Sequence, residues 1–296
     1  MKLIKQSFET LEQKDFSLVG IKKFIERCGR VCYKSEDRIT EDSYIKFVDN
    51  LIKRHHDRPL EFGTVHLKIG YIEFSTLIKV TLLKKDAWNS IWIKYNFNPI
   101  EHCLNITTNY RYYLEIKNIL KDAFNIDMDI YLTDEDNEFY PKRYTAHMIL
   151  DRGVMDEFRT HVTLSHLAES TRYCNYSKDK FDNQVTFIIP NWCNSLVEGS
   201  EQKYSPFEIN GGEVEFMDAI QSAQNYYLSL LKLGWTPQQA RNVLPLGIKS
   251  ELISCGFVDA WENLFYRRCA NDAHPMAREI AIPLQEKFKE LGYVNQ

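Results

Sequence analysis

The stretch EFRTHVTLSHLAESTRYCNYSKDKF, residues 157–181, is the most densely polar part of the sequence and determines how the rest is interpreted. Hydroxyl side chains and arginines alternate in it, and Tyr173 and Tyr176 could stack on a flat ring. Arginine binds phosphate through two parallel hydrogen bonds, and serine adds a short neutral one. This pattern is typical of a site for an anion with several oxygens. Local composition alone, however, favours a solvated helix end whose charges pair with one another.

Two distant segments have the same character. PQQARNVLP (237–245) places Arg241 in a short helix bounded by prolines, and WENLFYRRCANDAHPMAREIA (261–281) places Asn263 and Arg268 on a helix rich in apolar residues. A buried arginine must be compensated by a partner. The partner of Arg268 is either a ligand or a nearby acidic residue, and the local sequence leaves both open.

Length and composition predict a single large α+β domain, with two lobes as the alternative. The chain has 296 residues, of which 44% are hydrophobic and 26% charged, and a net charge of -4. Proteins that bind duplex DNA by neutralising phosphates usually carry a basic excess, so no nucleic-acid partner is expected. No signal peptide or membrane span is evident, which predicts a cytoplasmic protein without a membrane partner.

The cysteines and the absent motifs exclude several kinds of site. Seven cysteines are scattered and never spaced C-x-x-C, which predicts reduced thiols and neither a disulfide framework nor a metal site. G-x-G-x-x-G, G-x-x-x-x-G-K-[ST], H-E-x-x-H and G-x-S-x-G are all missing. His55 and His56 are adjacent and are interpreted as surface residues.

Periodicity predicts the main secondary-structure elements. A helix over about 18–32 and a second helix capped by Thr40, with Ile45, Val48 and Ile52 buried, precede a strand at 65–69. YIEFSTLIKVTLL (71–83) could be a strand or a buried helix, and 133–139 is predicted as a surface loop. Later in the chain we predict a strand at 144–150, a helix from 151, a strand at 185–190 and a loop at 191–212. A helix at 213–233 is predicted to stop at Gly234. A last helix is predicted to begin at Pro275 and to be kinked or broken by Pro283.

Several ordered segments give the sequence a resemblance to the flavin-dependent thymidylate synthases. S-T-R-Y at 170–173, preceded by His161 and Ser165, is similar to that family's signature, R-H-R followed by S-x-R-Y. The other matching segments are GRVCYKSEDRITEDS (29–43), HDRPLE (56–61), DRGV (151–154), ARNVLP (240–245) and LFYRR to AREI (264–280). They cover about residues 1–70 and 142–292 of one domain spanning 1–296. Residues 71–141 resemble an insertion, in which ITTNYR (106–111) is similar to longer bacterial members.

The resemblance implies a function and a set of site residues. It implies a homotetramer that binds FAD between subunits and uses NADPH as reductant, methylenetetrahydrofolate as carbon donor and dUMP as acceptor. Arg268 would be catalytic and polarise the uracil ring, and the substrate-binding set is Glu157, Glu169, Ser170, Arg172, Arg241 and Arg268. The cofactor-binding set is His56, Arg58, Arg159, His161 and Asn263. The family needs no protein nucleophile, and no cysteine here has an evident activating environment.

The sequence departs from the family's pattern at the R-H-R motif. That motif aligns without gaps onto Thr160-His161-Val162, so both arginines are missing. Arg159 lies one residue early, which is about 100° around a helix. The usual Gln or Glu before S-x-R-Y aligns with Ala168, and Glu169 follows. We therefore expect weaker FAD binding than in relatives with an intact motif, with Arg58, Arg159 and Arg111 as candidate replacements.

Three functions are consistent with these features to different degrees. The leading one is a flavin-dependent thymidylate synthase, or a relative that hydroxymethylates a pyrimidine nucleotide. The second is a nucleotide-binding protein on the same scaffold that has lost flavin and activity, which a colourless purified protein would favour. An RNA-binding module is disfavoured by the negative net charge and the absence of a recognised RNA motif.

Overall fold

Ten strands and nine α-helices are present in residues 1–81, 90–199 and 210–294, the parts of the chain that this computed structural model describes. The strands are β1 (Lys2–Ile4), β2 (Ser7–Leu11), β3 (Thr64–Gly70), β4 (Ile93–Asn98), β5 (Cys103–Asn109), β6 (Leu132–Thr133), β7 (Arg143–Asp151), β8 (Ser165–Ala168), β9 (Thr186–Ile188) and β10 (Lys249–Phe257). The helices are α1 (Leu18–Val31), α2 (Ser43–Lys53), α3 (Tyr71–Thr81), α4 (Tyr110–Phe124), α5 (Arg152–Phe158), α6 (Gly211–Lys232), α7 (Pro237–Ala240), α8 (Val258–Arg268) and α9 (Pro275–Glu290).

The first sheet has the strand order β2-β7-β10-β8, and the DRGV and S-T-R-Y segments adjoin the ends of its strands β7 and β8. Its central strands β7 and β10 are antiparallel, with Arg143 opposite Phe257 and Asp151 opposite Lys249. Helix α8 follows β10 directly, and its 11 residues extend for about 16 Å. The core under this sheet includes Trp261, Phe265 and Phe288, which are almost completely buried.

The second sheet has the strand order β4-β5-β3-β6 and a hydrophobic core of its own. Strand β3 is antiparallel to β5 along its whole length and to β6 at two residues. Both partners lie within 71–141, the segment interpreted as an insertion, which stays a prediction. Apolar residues of α1, α2 and α4 share this core, so the sheet packs against the N-terminal helices.

The structure confirms the mixed helix and sheet class and most of the predicted elements. Helices α1 and α5, strands β3 and β7 and the exposed segment after β6 lie where periodicity placed them. Helix α6 ends just before Gly234, which adopts a φ of +91°. YIEFSTLIKVTLL is helical up to Thr81, and its last two residues lie outside the described residues, as do 200–209 of the predicted loop. All seven cysteines are free thiols in the structure.

Two details of the helix predictions are wrong. Helix α2 has Asp42 at its N-cap, not Thr40, and its buried residues are Tyr44, Val48 and Leu51. The predicted Ile45 and Ile52 are 46% and 38% exposed. Both stripes share Val48 and have helical spacing, so packing against α1, not periodicity, determines which one is buried.

Pro283 does not break α9, so that part of the second expectation is wrong, and a kink at this residue stays a prediction. The helix continues from Pro275 to Glu290 because its buried face, with Ile280, Leu284 and Phe288, is fixed in the core of the first sheet. This burial outweighs one missing backbone hydrogen bond.

The strand predicted at 185–190 is shorter in the structure, where only Thr186–Ile188 pairs, in parallel, with β1.

No helix in the described ranges is long and apolar enough to cross a bilayer. Over the same residues, no three His, Cys, Asp or Glu side chains come close enough to hold a metal ion.

Candidate active site

A cleft of about 700 Å³, called here the α5–α8 cleft, lies between the loop after α5 and the second half of α8. His161, Asn263 and Arg268 lie on its walls. They meet because α8 returns along the sheet from the end of β10, which places its last turn beside the end of α5. The volume is in the range of small-molecule and cofactor sites.

The guanidinium group of Arg268 is held by three residues of the α5 end. Its Nη1 donates to Glu157 Oε2 at 2.7 Å, and its Nη2 donates to the Glu157 carbonyl at 2.8 Å and to Thr160 Oγ1 at 3.1 Å. Its Nε donates to His161 Nε2 at 3.0 Å. The partner that a half-buried arginine requires is thus Glu157. A guanidinium has five N–H donors, so one hydrogen on Nη1 remains for a ligand.

The imidazole of His161 is neutral in this arrangement. Burial, and then the positive charge of Arg268, lower the pKa of His161 to about 4. Its Nε2 accepts the hydrogen bond from Arg268, so the ring proton is on Nδ1. The backbone carbonyl of His161 accepts a hydrogen bond from His166 Nε2 at 3.0 Å, which fixes the loop between α5 and β8.

The S-T-R-Y turn joins the short helix α7 at a separate place on the surface. Arg241 Nη1 donates to Thr171 Oγ1 at 3.0 Å, and Arg172 Nε donates to Gln238 Oε1 at 2.9 Å. Ser170 N donates to the Cys32 carbonyl at 3.1 Å, which anchors the turn to α1. Within the described residues neither arginine has an acidic partner. Both guanidinium groups therefore keep donors for an anion.

Glu169 lies in a buried ion-pair network. Its carboxylate is 1% exposed and accepts from Lys249 Nζ at 2.8 Å and from the Tyr176 hydroxyl at 3.3 Å. Lys249 also pairs with Glu251, which His147 Nε2 contacts at 2.9 Å. Burial raises the pKa of Glu251, but His147 and Lys249 outweigh it and hold that pKa well below its usual range. The substrate-binding role of Glu169 stays a prediction.

The predicted flavin residues outside the α5–α8 cleft lie in other places. His56 is exposed on a different cleft beside α2, and Arg159 pairs with Asp156 at 3.4 Å on the surface. Neither residue lines the α5–α8 cleft. Burial lowers the pKa of the His166 imidazole, and Arg159 nevertheless lies close enough to it, as do His161 and Arg58, for its charge to help lower that pKa.

Arg58 and Arg111 converge on one buried carboxylate. Glu61 accepts from Arg58 Nη1 at 3.1 Å and from Arg111 Nη1 at 2.7 Å, and its side chain is 2% exposed. The carbonyl of the same residue accepts from Arg143 Nη2 at 2.7 Å. Glu61 thus connects the predicted insertion to the segment before β3 and to β7.

The family model described as "Thymidylate synthase complementing protein" matches residues 141–291, just over half of the chain. The chain belongs to the thymidylate synthase complementing protein family. Among solved structures, a UMP/dUMP methylase, PolB, from Streptomyces cacaoi bound with 5-Br dUMP is 15% identical, with a TM-score of 0.43 over 99% of this chain and 93% of that chain. No curated protein matches the sequence.

The thymidylate synthase complementing protein match spans both the α5–α8 cleft and the S-T-R-Y turn. It extends from the start of β7 to just beyond the end of α9 and contains Arg268, Arg172 and Arg241. His56 and Arg58 lie before it. The resemblance seen in the sequence is thus confirmed for the family, and the individual residue roles stay predictions.

The α5–α8 cleft of this family member suits a cofactor with a flat ring and negative charge. The ring of Tyr266 is 77% exposed on its wall, and the guanidinium of Arg267 lies 5.7 Å from the centre of that ring. Arg267 has no ion-pair partner among the described residues. Tyr266 was not among the site residues predicted from the sequence, although it directly precedes Arg267 on the same helix.

The cysteines nearest these segments are poor nucleophiles. Burial raises the pKa of Cys32 and of Cys174 to about 12, and that of Cys269 to about 11. A thiolate is therefore strongly disfavoured at each of the three positions near neutral pH.

Proposed function

We propose that this family member is a flavin-dependent thymidylate synthase. It would transfer a one-carbon unit from methylenetetrahydrofolate to C5 of dUMP, with FAD as cofactor and NADPH as reductant, in a homotetramer. The observation that carries the proposal is the guanidinium of Arg268 on the wall of a cofactor-sized cleft, held by Glu157 and a neutral His161. The family match over the same residues supports it.

The chain's contribution at the uracil is electrostatic. C5 of uracil is a poor nucleophile and must gain electron density before it attacks a carbon unit. The free Nη1 hydrogen of Arg268 would donate to a ring oxygen and stabilise the negative charge that develops there. Glu157 fixes the plane of the guanidinium, and His161, which accepts from Nε, keeps that nitrogen away from solvent. Flavin, when bound, supplies the redox chemistry.

The flavin contacts proposed within one subunit are His161, Asn263, Tyr266 and Arg267. They combine hydrogen-bonding groups, an exposed ring and an unpaired positive charge on one cleft. His56, Arg58 and Arg159 do not line that cleft, and we propose that they contact a cofactor shared between subunits. The homotetramer would bring the two sets together.

Titration of the apo-protein with FAD, followed by flavin fluorescence with and without dUMP, tests the proposal. We expect saturable binding that is weaker than in relatives with an intact R-H-R motif, because two charge-assisted contacts of about 1.5–3 kcal/mol each are missing. The product formed with NADPH and methylenetetrahydrofolate is then identified by mass, which distinguishes methyl from hydroxymethyl. No saturable FAD binding in either condition contradicts the enzyme and supports a flavin-free nucleotide-binding protein.

Arg172 and Arg241 are proposed to hold the phosphate of dUMP. We expect Arg172→Ala and Arg241→Ala each to weaken dUMP binding about 10-fold or more, since a charge-assisted contact is lost, while the melting temperature changes little. Calorimetric titration and thermal melts with and without dUMP measure both quantities. Arg27→Ala, a change at an exposed arginine of α1, is the control. A lower melting temperature with unchanged dUMP affinity would assign the two arginines a structural role.

A further inference from the structure

A second large cleft is strongly basic and shares only one residue, His56, with the proposed sets of contacts. This basic cleft, about 850 Å³ in volume, lies between the C-terminal turn of α1, helix α2 and residues 178–180. Seven lysines and arginines line it, against one acidic residue, Asp37. Arg268, Arg172 and Arg241 are not among the lining residues. His56 is the one residue of the predicted flavin set on its wall.

Most of this positive charge is not neutralised by the protein. Arg38, Lys46, Arg54 and Lys178 are exposed, and within the described residues none of them has an acidic partner. Four like charges around one concave surface repel one another. Because a cleft focuses the electric field of the charges that line it, the positive potential is strongest inside the cleft. A bound anion would relieve that repulsion.

The remaining cations of the basic cleft have structural partners. Arg30 pairs with Glu26 at 2.7 Å, and Lys34 pairs with Glu251 at 2.7 Å. Lys180 Nζ donates to the Lys34 carbonyl at 3.0 Å, which fixes the 178–180 segment against α1. These contacts hold the wall in place, so the four unpaired side chains surround a preformed space.

One wall of the basic cleft is aromatic. The ring of Tyr33 is half-buried and lies 5.8 Å from that of Tyr173, which follows the arginine of the S-T-R-Y turn. The ring of Phe47 packs under Arg30 at 4.7 Å. The contact between the two tyrosine rings thus places this wall of the basic cleft next to the S-T-R-Y turn.

We propose that the basic cleft binds a linear polyanion with three or more closely spaced negative charges. Four unpaired cations distributed around one space match several charges better than a single phosphate. Consecutive phosphates and consecutive carboxylates share this chemistry, and the experiment distinguishes them. Apart from His56, its lining residues are distinct from the proposed dUMP and FAD contacts.

The full chain is titrated calorimetrically with sodium tripolyphosphate and, separately, with triglutamate, at about 0.02 M and 0.15 M salt. We expect saturable binding of at least one probe that weakens at the higher salt, because exposed charges are screened. The double variant Arg38→Ala/Arg54→Ala should weaken it about 10-fold or more, because two of the four unpaired cations are lost. Lys53→Ala is the matched control, since Lys53 is exposed on α2 but does not line the cleft.

Each outcome decides one point. Binding of tripolyphosphate alone would identify the ligand's charged groups as phosphates, and binding of triglutamate alone would identify them as carboxylates. Equal binding of both probes would mean that charge alone determines binding. All three outcomes support the site. Neither probe binding, or an equal loss in Lys53→Ala, overturns it. Displacement of the probe by dUMP or FAD overturns it as a separate site. The readout is binding without turnover, so it can fail independently of the proposed thymidylate synthase activity.

Discussion

Arg268→Lys is expected to lower product formation from dUMP by about 10²–10³-fold, the usual cost of losing one positioned electrostatic contact. Lysine carries a point charge and three donors on one nitrogen, so it cannot contact Glu157, Thr160 and His161 and still present a directed hydrogen to uracil. Flavin reduction by NADPH should change much less, because that half-reaction does not require an activated pyrimidine.

The two halves of the reaction are measured in the same variant. Anaerobic flavin reduction is followed by the loss of flavin absorbance, and product formation is followed by chromatography. Arg27→Lys, at an exposed position of α1, is the control and should retain both rates. Product formation at the wild-type rate in Arg268→Lys would mean that the Glu157–Arg268 pair is structural and that the catalytic assignment is wrong.

Lys249→Met is expected to lower the free energy of unfolding by about 3–5 kcal/mol, the cost of leaving a buried charge without its partner. Lys249 Nζ lies between the carboxylates of Glu169 and Glu251, whose side chains are 1% and 6% exposed. Lys34 still pairs with Glu251 in the variant, so Glu169 is the carboxylate left without a cation.

Denaturant titration measures this loss, and a second substitution identifies its cause. Lys249→Met/Glu169→Met removes both charges and should recover most of the lost stability, because a matched apolar pair replaces a buried ion pair. Lys287→Met breaks an exposed pair with Glu290 and should cost less than about 1 kcal/mol. Equal losses in Lys249→Met and Lys287→Met would show that the network contributes no more than a surface pair.

The sequence predicted the local elements well because they depend on neighbouring residues. Alternation in β3 and β7 and the spacing in α1 are short-range signals, and the structure follows them. Helix α2 shows where this information ends. Two stripes one residue apart both have helical spacing there, and packing into the core shared with α1 buries Leu51 and leaves Ile52 exposed.

At the candidate site, sequence analysis predicted kinds of interaction better than particular partners. The apolar surroundings of Arg268 required a compensating group, but Glu157 lies 111 positions away and meets it only because α8 returns along the sheet. Glu169 lies beside the S-T-R-Y turn in sequence, yet strand pairing places its carboxylate on Lys249. Such contacts depend on strand order, which local periodicity does not encode.

The pairing of β3 limits how the chain can be shortened. A minimal version without residues 71–141 would remove β5 and β6, the strands on both sides of β3, and expose two rows of unpaired backbone groups. It would also remove Arg111 from the buried carboxylate of Glu61. For protein engineering, residues 71–141 are thus an integral wall of the molecule; even the exposed 134–137 segment within them pairs with Lys68 and Lys142.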